Sequence, residues 1–129
     1  MPKLVILRVC VAAVALFAAQ PPAAAADAVA GEAVFKKCAV CHSLEKGTNK
    51  VGPSLYGLIG RTAGTAAKFK YSMAMKAAGE GGIAWTEENL LAYLEAPKTF
   101  VPKNKMPFPG LRKAKDRDDL IAYLNKATR

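Results

Sequence analysis

The chain has 129 residues, 52% hydrophobic and 22% charged, with nineteen Lys and Arg against ten Asp and Glu for a formal charge of +9. That length leaves room for one small domain with a modest core and excludes a second domain. A one-signed excess of positive charge favours an acidic protein surface as partner; nucleic acid would call for an aromatic–basic motif, and none is present.

The N-terminus reads as an export leader. Lys3 and Arg8 form a basic n-region, and residues 9–19 are an apolar run long enough for a signal-peptide core and too short to span a bilayer. Ala24-Ala25-Ala26 fits the small-residue cleavage rule, which divides the chain into a cleaved signal peptide, 1–26, and a domain, 27–129. Cys10 leaves with the leader; Arg8 and Val9 before it fit a lipid-attachment site poorly. The leader holds two of the nineteen basic residues and none of the acidic ones, so the exported domain keeps a charge of +7. The expected location is the periplasm. A tethered form with an uncleaved leader would need a longer apolar span and a linker.

A first helix is expected over 28–38, capped by Asp27, with Gly31, Val34, Phe35 and Cys38 on one apolar face. It runs into Cys38-Ala39-Val40-Cys41-His42, which reads C-x-x-C-H. Two thiols two residues apart can each bond to one porphyrin edge, and the next residue, a histidine, is then held under the iron: this is the attachment pattern of a c-type haem. A structural zinc site would need a second ligand pair, yet no Cys or His follows His42. A thioredoxin-like motif would sit in a βαβ pattern, which is not visible, and a disulfide would leave His42 without a role.

Further along, a short helix is expected over 72–78, ended by Gly79. Another is expected from Thr86 as N-cap through Glu95, with Glu87 and Glu88 in its first turn and Leu90, Leu91, Tyr93 and Leu94 inward; Ala96-Pro97 stops it. A last helix is expected over 116–126, with Leu120, Ile121, Tyr123 and Leu124 inward. Glycine- and proline-rich loops fill 47–64, 79–82 and 97–110, and no segment reads as a strand. The fold class is all-α: three main helices, short ones and loops wrapped around one covalent haem c. The haem completes a core that the side chains alone leave thin, so the apoprotein is expected to be poorly ordered.

His42 is the only histidine, which excludes bis-histidine ligation from this chain. After the leader the methionines are Met73, Met75 and Met106. Met106 lies in the irregular, proline-braced run 103–110, free to present its thioether, and is the expected second ligand.

Together these features resemble a class I cytochrome c of the mitochondrial cytochrome c and bacterial cytochrome c2 group. The likeness covers 31–129 and rests on Gly31, Phe35, the C-x-x-C-H run, Val51-Gly52-Pro53-Ser54-Leu55, Gly60-Arg61, Phe69-Lys70-Tyr71-Ser72, Trp85, Tyr93-Leu94, Pro97, Lys105-Met106-Pro107-Phe108-Pro109-Gly110 and the run 117–124. The resemblance implies that Cys38 and Cys41 attach the haem and that His42 and Met106 bind its iron. It implies that Pro53 accepts the His42 ring N–H, that Arg61, Tyr71 and Trp85 lie near the propionates, and that Tyr93 reaches the Met106 sulfur. Asn104 belongs to the same surroundings, at a position where the mitochondrial members carry a propionate-binding threonine. Met75 likewise replaces an asparagine of an internal polar network, and the turn 79–82 is longer than theirs.

The function so implied is a soluble, monomeric periplasmic one-electron carrier and not an enzyme. It would shuttle between a bc1-type complex and a terminal oxidase or photosynthetic reaction centre, docking through Lys37, Lys50, Lys98, Lys105 and Lys113, with Arg112 behind them. Two alternatives stand beside it. One is a dedicated electron acceptor of a periplasmic dehydrogenase; the other is a haem peroxidase-type enzyme in which the Met106 bond opens.

Overall fold

The computed structural model describes residues 24–129. Of the leader, only the exposed Ala24–Ala26 lie among the described residues. Five helices follow in order: α1 (Ala28–Ala39), α2 (Met73–Glu80), α3 (Glu87–Glu95), α4 (Pro97–Phe100) and α5 (Ala114–Ala127). Among the described residues there is no strand, only a single bridge between Thr62 and Ala84.

Local chemistry starts three of these helices. The side chain of Asp27 accepts from the Val29 amide at 2.8 Å, that of Ser72 from Met75 at 3.1 Å, and that of Thr86 from Asn89 at 3.1 Å. Each satisfies a donor that a first helical turn leaves free. Glu87 and Glu88 occupy the positive end of α3, and Lys36 and Lys37 the negative end of α1.

The first and last helices cross and carry the largest contact between elements. Gly31 is the reason they can. A Cβ built there would lie 1.9 Å from the main-chain oxygen of Asp119, so only glycine admits α5 at this distance. Phe35 and Tyr123 close the crossing with ring centroids 5.4 Å apart. At its edge the Asp27 amide donates to Asp119 Oδ1 at 2.7 Å, and Lys115 donates to the same oxygen. These contacts hold the Asp119 carboxyl below its ordinary range, the Lys115 hydrogen bond first and the Asp27 amide second.

Three details differ from the sequence reading. Gly79 does not end α2: it is buried inside it, and Gly81 is the cap. Its Cβ would fall 1.9 Å from the Ala63 oxygen, so the glycine serves close packing. Pro97 stops α3 but opens the short helix α4, because proline is suited to a first helical position. The last helix begins at Ala114, two residues earlier than its apolar stripe suggests.

The core joins Phe35 and Leu120, Ile121 and Leu124 of the crossing to Leu58, Trp85, Leu90, Tyr93, Leu94 and Leu111. The loop 57–63 is fastened to 83–85 by main-chain bonds, including Trp85 N to Arg61 O at 2.8 Å and Ala63 N to Ile83 O at 2.9 Å. Leu111 N reaches Leu94 O at 2.7 Å and fixes the loop that leads into α5. Loops from three parts of the chain thus surround one hollow beside the helices.

Candidate haem-binding site

The hollow is a cavity of about 380 Å³ lined mainly by apolar side chains, within the usual range for small-molecule sites. The end of α1 supplies its first wall. Cys41 N and His42 N both donate to Cys38 O, at 3.0 and 2.9 Å, which folds the chain back on itself. Cys38, Cys41 and His42 thereby line the same cavity, and both cysteines are free thiols. Burial pushes the Cys38 thiol up to about 11, against a smaller opposing effect of Lys37.

The His42 ring lies 2.8 Å by its Nδ1 from the Pro53 carbonyl oxygen. A carbonyl can only accept, so Nδ1 carries the hydrogen and Nε2 keeps its lone pair. Burial lowers the His42 pKa, outweighing the Pro53 bond that raises it. The imidazole is therefore neutral and able to bind a metal. Gly52 makes room for the ring: a Cβ there would meet it at 2.5 Å.

Met106 enters from the loop after α4, half-buried, and the Tyr93 hydroxyl donates to its sulfur at 3.8 Å. Burial pushes the Tyr93 hydroxyl up to about 12, so it remains protonated as a donor. The other two methionines separate clearly. Met73 is 88% exposed, while Met75 is buried against the cavity.

Arg61, Tyr71, Trp85 and Asn104 line the same space. Arg61 Nη1 donates to Ser54 O at 3.1 Å and Tyr56 O at 3.0 Å, whereas its Nε is buried without a partner. The Tyr71 hydroxyl accepts from Ala66 N at 3.1 Å and keeps its own hydrogen to give. Trp85 is buried with its ring 4.8 Å from that of Tyr93. Asn104 differs from the rest: both its Nδ2 hydrogens are spent on main-chain oxygens, Pro97 O at 2.9 Å and Val101 O at 2.8 Å. It has no hydrogen left for a carboxylate.

The lysines do not form an even ring. Lys37 and Lys105 border the cavity. Lys50 Nζ is tied to Ala39 O at 2.5 Å and Lys98 Nζ to Asn104 O at 2.7 Å. Lys113 is exposed at the start of α5 and does not line the cavity.

Asn49 also shapes the site, although the sequence did not single it out, and it acts with Ser54 of the run 51–55. Asn49 Nδ2 donates to Ala67 O at 3.0 Å, and its Oδ1 accepts from Ser54 N at 2.9 Å. Ser54 is buried, and its hydroxyl donates to Glu45 O. Together they bind the segment after His42 to the loop before Tyr71. A short polar side chain in a glycine-punctuated loop is the one sequence signal that points to such tethers.

This geometry suits a covalent haem. Two thiols and a neutral imidazole sit at the end of one helix, a thioether comes from a distant loop, and an orphaned guanidinium nitrogen meets the need of a carboxylate. These are the marks of a small all-helical protein that carries its haem by thioether bonds. The comparisons agree. The family model described as cytochrome c matches residues 28–128, and the chain belongs to the cytochrome c family. It is 50% identical over 99 residues to a cytochrome c2 of Agrobacterium tumefaciens (strain II Chrys), covering 76% of this chain and 89% of that one. It is 53% identical over 108 residues to a cytochrome c of Chlamydomonas reinhardtii, covering 82% and 94%. Among solved structures, cytochrome c2 from Rhodospirillum centenum superposes with a TM-score of 0.75 at 42% identity, over 80% of this chain and 99% of that one. Cytochrome cH from Methylobacterium extorquens gives 0.70 at 44% identity, over 77% and 97%. The cofactor is covalent haem c, and the chain is a c-type cytochrome of the electron-carrying kind.

Proposed function

We propose that this protein is a soluble, monomeric carrier of single electrons in the periplasm, with Cys38 and Cys41 as the haem attachment points and His42 and Met106 as the axial ligands. Its donor would be a bc1-type complex and its acceptor a terminal oxidase or photosynthetic reaction centre. One observation carries this reading: His42 and Met106 line one cavity, and each is already held by a second group, Pro53 O at 2.8 Å and the Tyr93 hydroxyl at 3.8 Å.

Haem supplies an iron that gains or loses one electron, and a methionine ligand favours its reduced form. The side chains do the rest. The Pro53 bond fixes the His42 tautomer and strengthens the ring as a donor. Tyr93 restrains the Met106 thioether, and the apolar lining excludes water. Arg61, Tyr71 and Trp85 answer the propionates, Arg61 through its unpartnered Nε. If His42 and Met106 both held the iron, no place would be left for a substrate, which favours a relay over an enzyme. Lys37 and Lys105 form the positive rim of the cavity and would meet an acidic partner first.

The test is the weak far-red absorption band of a methionine–ferric haem pair. Wild type should show it at neutral pH, Met106→Ala should lose it, and Met75→Leu should keep it. Its absence from wild type together with peroxide turnover would overturn the carrier reading. Stopped-flow oxidation by membranes holding an oxidase or a reaction centre should slow as ionic strength rises; a salt-independent rate would remove the lysine rim from the proposal.

A further inference from the structure

Asn104 is 4% exposed, and all of its polar groups are engaged by α4 and the loop that follows it. Nδ2 donates to Pro97 O and Val101 O, and Oδ1 accepts from the Met106 amide at 2.9 Å. Its main-chain N–H donates to Val101 O at 3.2 Å, and its carbonyl accepts from Lys98 Nζ at 2.7 Å. The anchors are firm: Pro97 is among the most completely buried side chains, and Val101 is 3% exposed. One residue therefore links α4, through its buried Pro97, directly to the main chain of Met106.

The link crosses a strained turn. Lys103, immediately before Asn104, has φ +64°, in the left-handed region that is unfavourable for a residue with a side chain. Such a conformation persists only where neighbouring contacts hold it, and the Asn104 bonds are the ones at hand. If they were released, the turn would relax and carry Met106 with it, because only Lys105 separates the two residues.

We infer that Asn104 is a positioning residue that sets how often Met106 leaves the iron. It works as a clamp between α4 and the ligand's own amide, and it does not serve the propionates. The inference rests on the Met106 ligation proposed above. Lys98 supports the clamp from outside through its bond to the Asn104 carbonyl.

The test uses ferric holoprotein and added imidazole. At saturating imidazole the binding rate is limited by departure of the methionine. Asn104→Ala should raise that limiting rate at least about tenfold, because it removes the three side-chain hydrogen bonds that tie the ligand's amide to α4. Asn104→Thr should recover part of the loss, since its hydroxyl can accept from the Met106 amide and donate to one carbonyl. Lys98→Met should give a smaller rise and keeps the measurement available should Asn104→Ala fail to accumulate. Ile121→Val, a core change on α5 away from the cavity lining, should leave the rate unchanged. A wild-type far-red band with an unaltered rate in Asn104→Ala would overturn the clamp alone. An equal rise in Ile121→Val would do the same, by showing that general destabilisation is responsible. A wild type without the band would bring down the ligand reading and the clamp with it.

Discussion

At the α1–α5 crossing a main-chain oxygen of Asp119 occupies the space that a side chain at residue 31 would need, and two apolar faces meet along the helices. Around the cavity the chain is held differently. Asn49, Ser54, Arg61, Tyr71, Lys98 and Asn104 each fasten a loop by one or a few bonds to main-chain atoms. The crossing buries surface helix against helix, although Phe35, Leu120 and Leu124 also line the cavity. The loops face a cavity and have polar tethers on one side only, so they depend on what fills it. Apolar packing thus dominates in one region and polar tethers in the other.

The largest effect is expected from Gly31→Val. Its side chain has no space against α5, and the variant should lose more than about 3 kcal/mol. A far-UV circular dichroism melt should show no cooperative transition near the wild-type one. A normal melt would mean that the crossing yields more readily than a close-packed contact should. Next comes loss of the haem through replacement of both Cys38 and Cys41 by serine. Hydrogen exchange should then reach solvent-like rates at loop amides such as Leu55 and Leu111, while Leu124 in α5 keeps some protection. Equal loss throughout would erase the distinction between the two regions.

Asn49→Ala should cost about 2 kcal/mol, since it removes two tethers between loops. Chemical denaturation should report that loss with the far-red band intact. The smallest effect concerns acid. Because the folded Asp119 pKa lies below its ordinary 3.8, the carboxylate stabilises the fold fully above about pH 4. That contribution disappears as pH falls through the lower folded value. The stability gap between wild type and Asp119→Asn should therefore be constant at neutral pH and close on acidification; a gap that widens in acid would reverse the assignment.

The crossing was largely legible in the sequence, and the tethers were not. Apolar residues three and four apart mark α1, α3 and α5, and Asp27 and Thr86 announce their own capping bonds, because both signals are local. The C-x-x-C-H run is legible for the same reason: covalent attachment needs that spacing within five residues. Asn104 is different. Its partners are main-chain oxygens of a four-residue helix too short to show a period, so nothing in composition separates it from a propionate ligand. The main-chain bonds of Lys50 and Lys98 were equally hidden, because sequence shows a charge without showing the carbonyl that it meets. Gly79 was read as a helix end because glycine stops a helix more often than it packs inside one.

The bond from Asp27 to Asp119 joins positions 92 apart in the chain. Nearly the whole domain is therefore a single ring, closed where its first and last helices meet. Ring closure is costly at first but only weakly sensitive to size, about 0.6 kcal/mol for each doubling of length. Extra residues on the exposed rim thus add little to the cost of folding. The turn that follows α2 is such a place, with Gly81 and Gly82 both exposed. A family built on this closure can lengthen its turns freely, provided that the two ends of the chain still find each other.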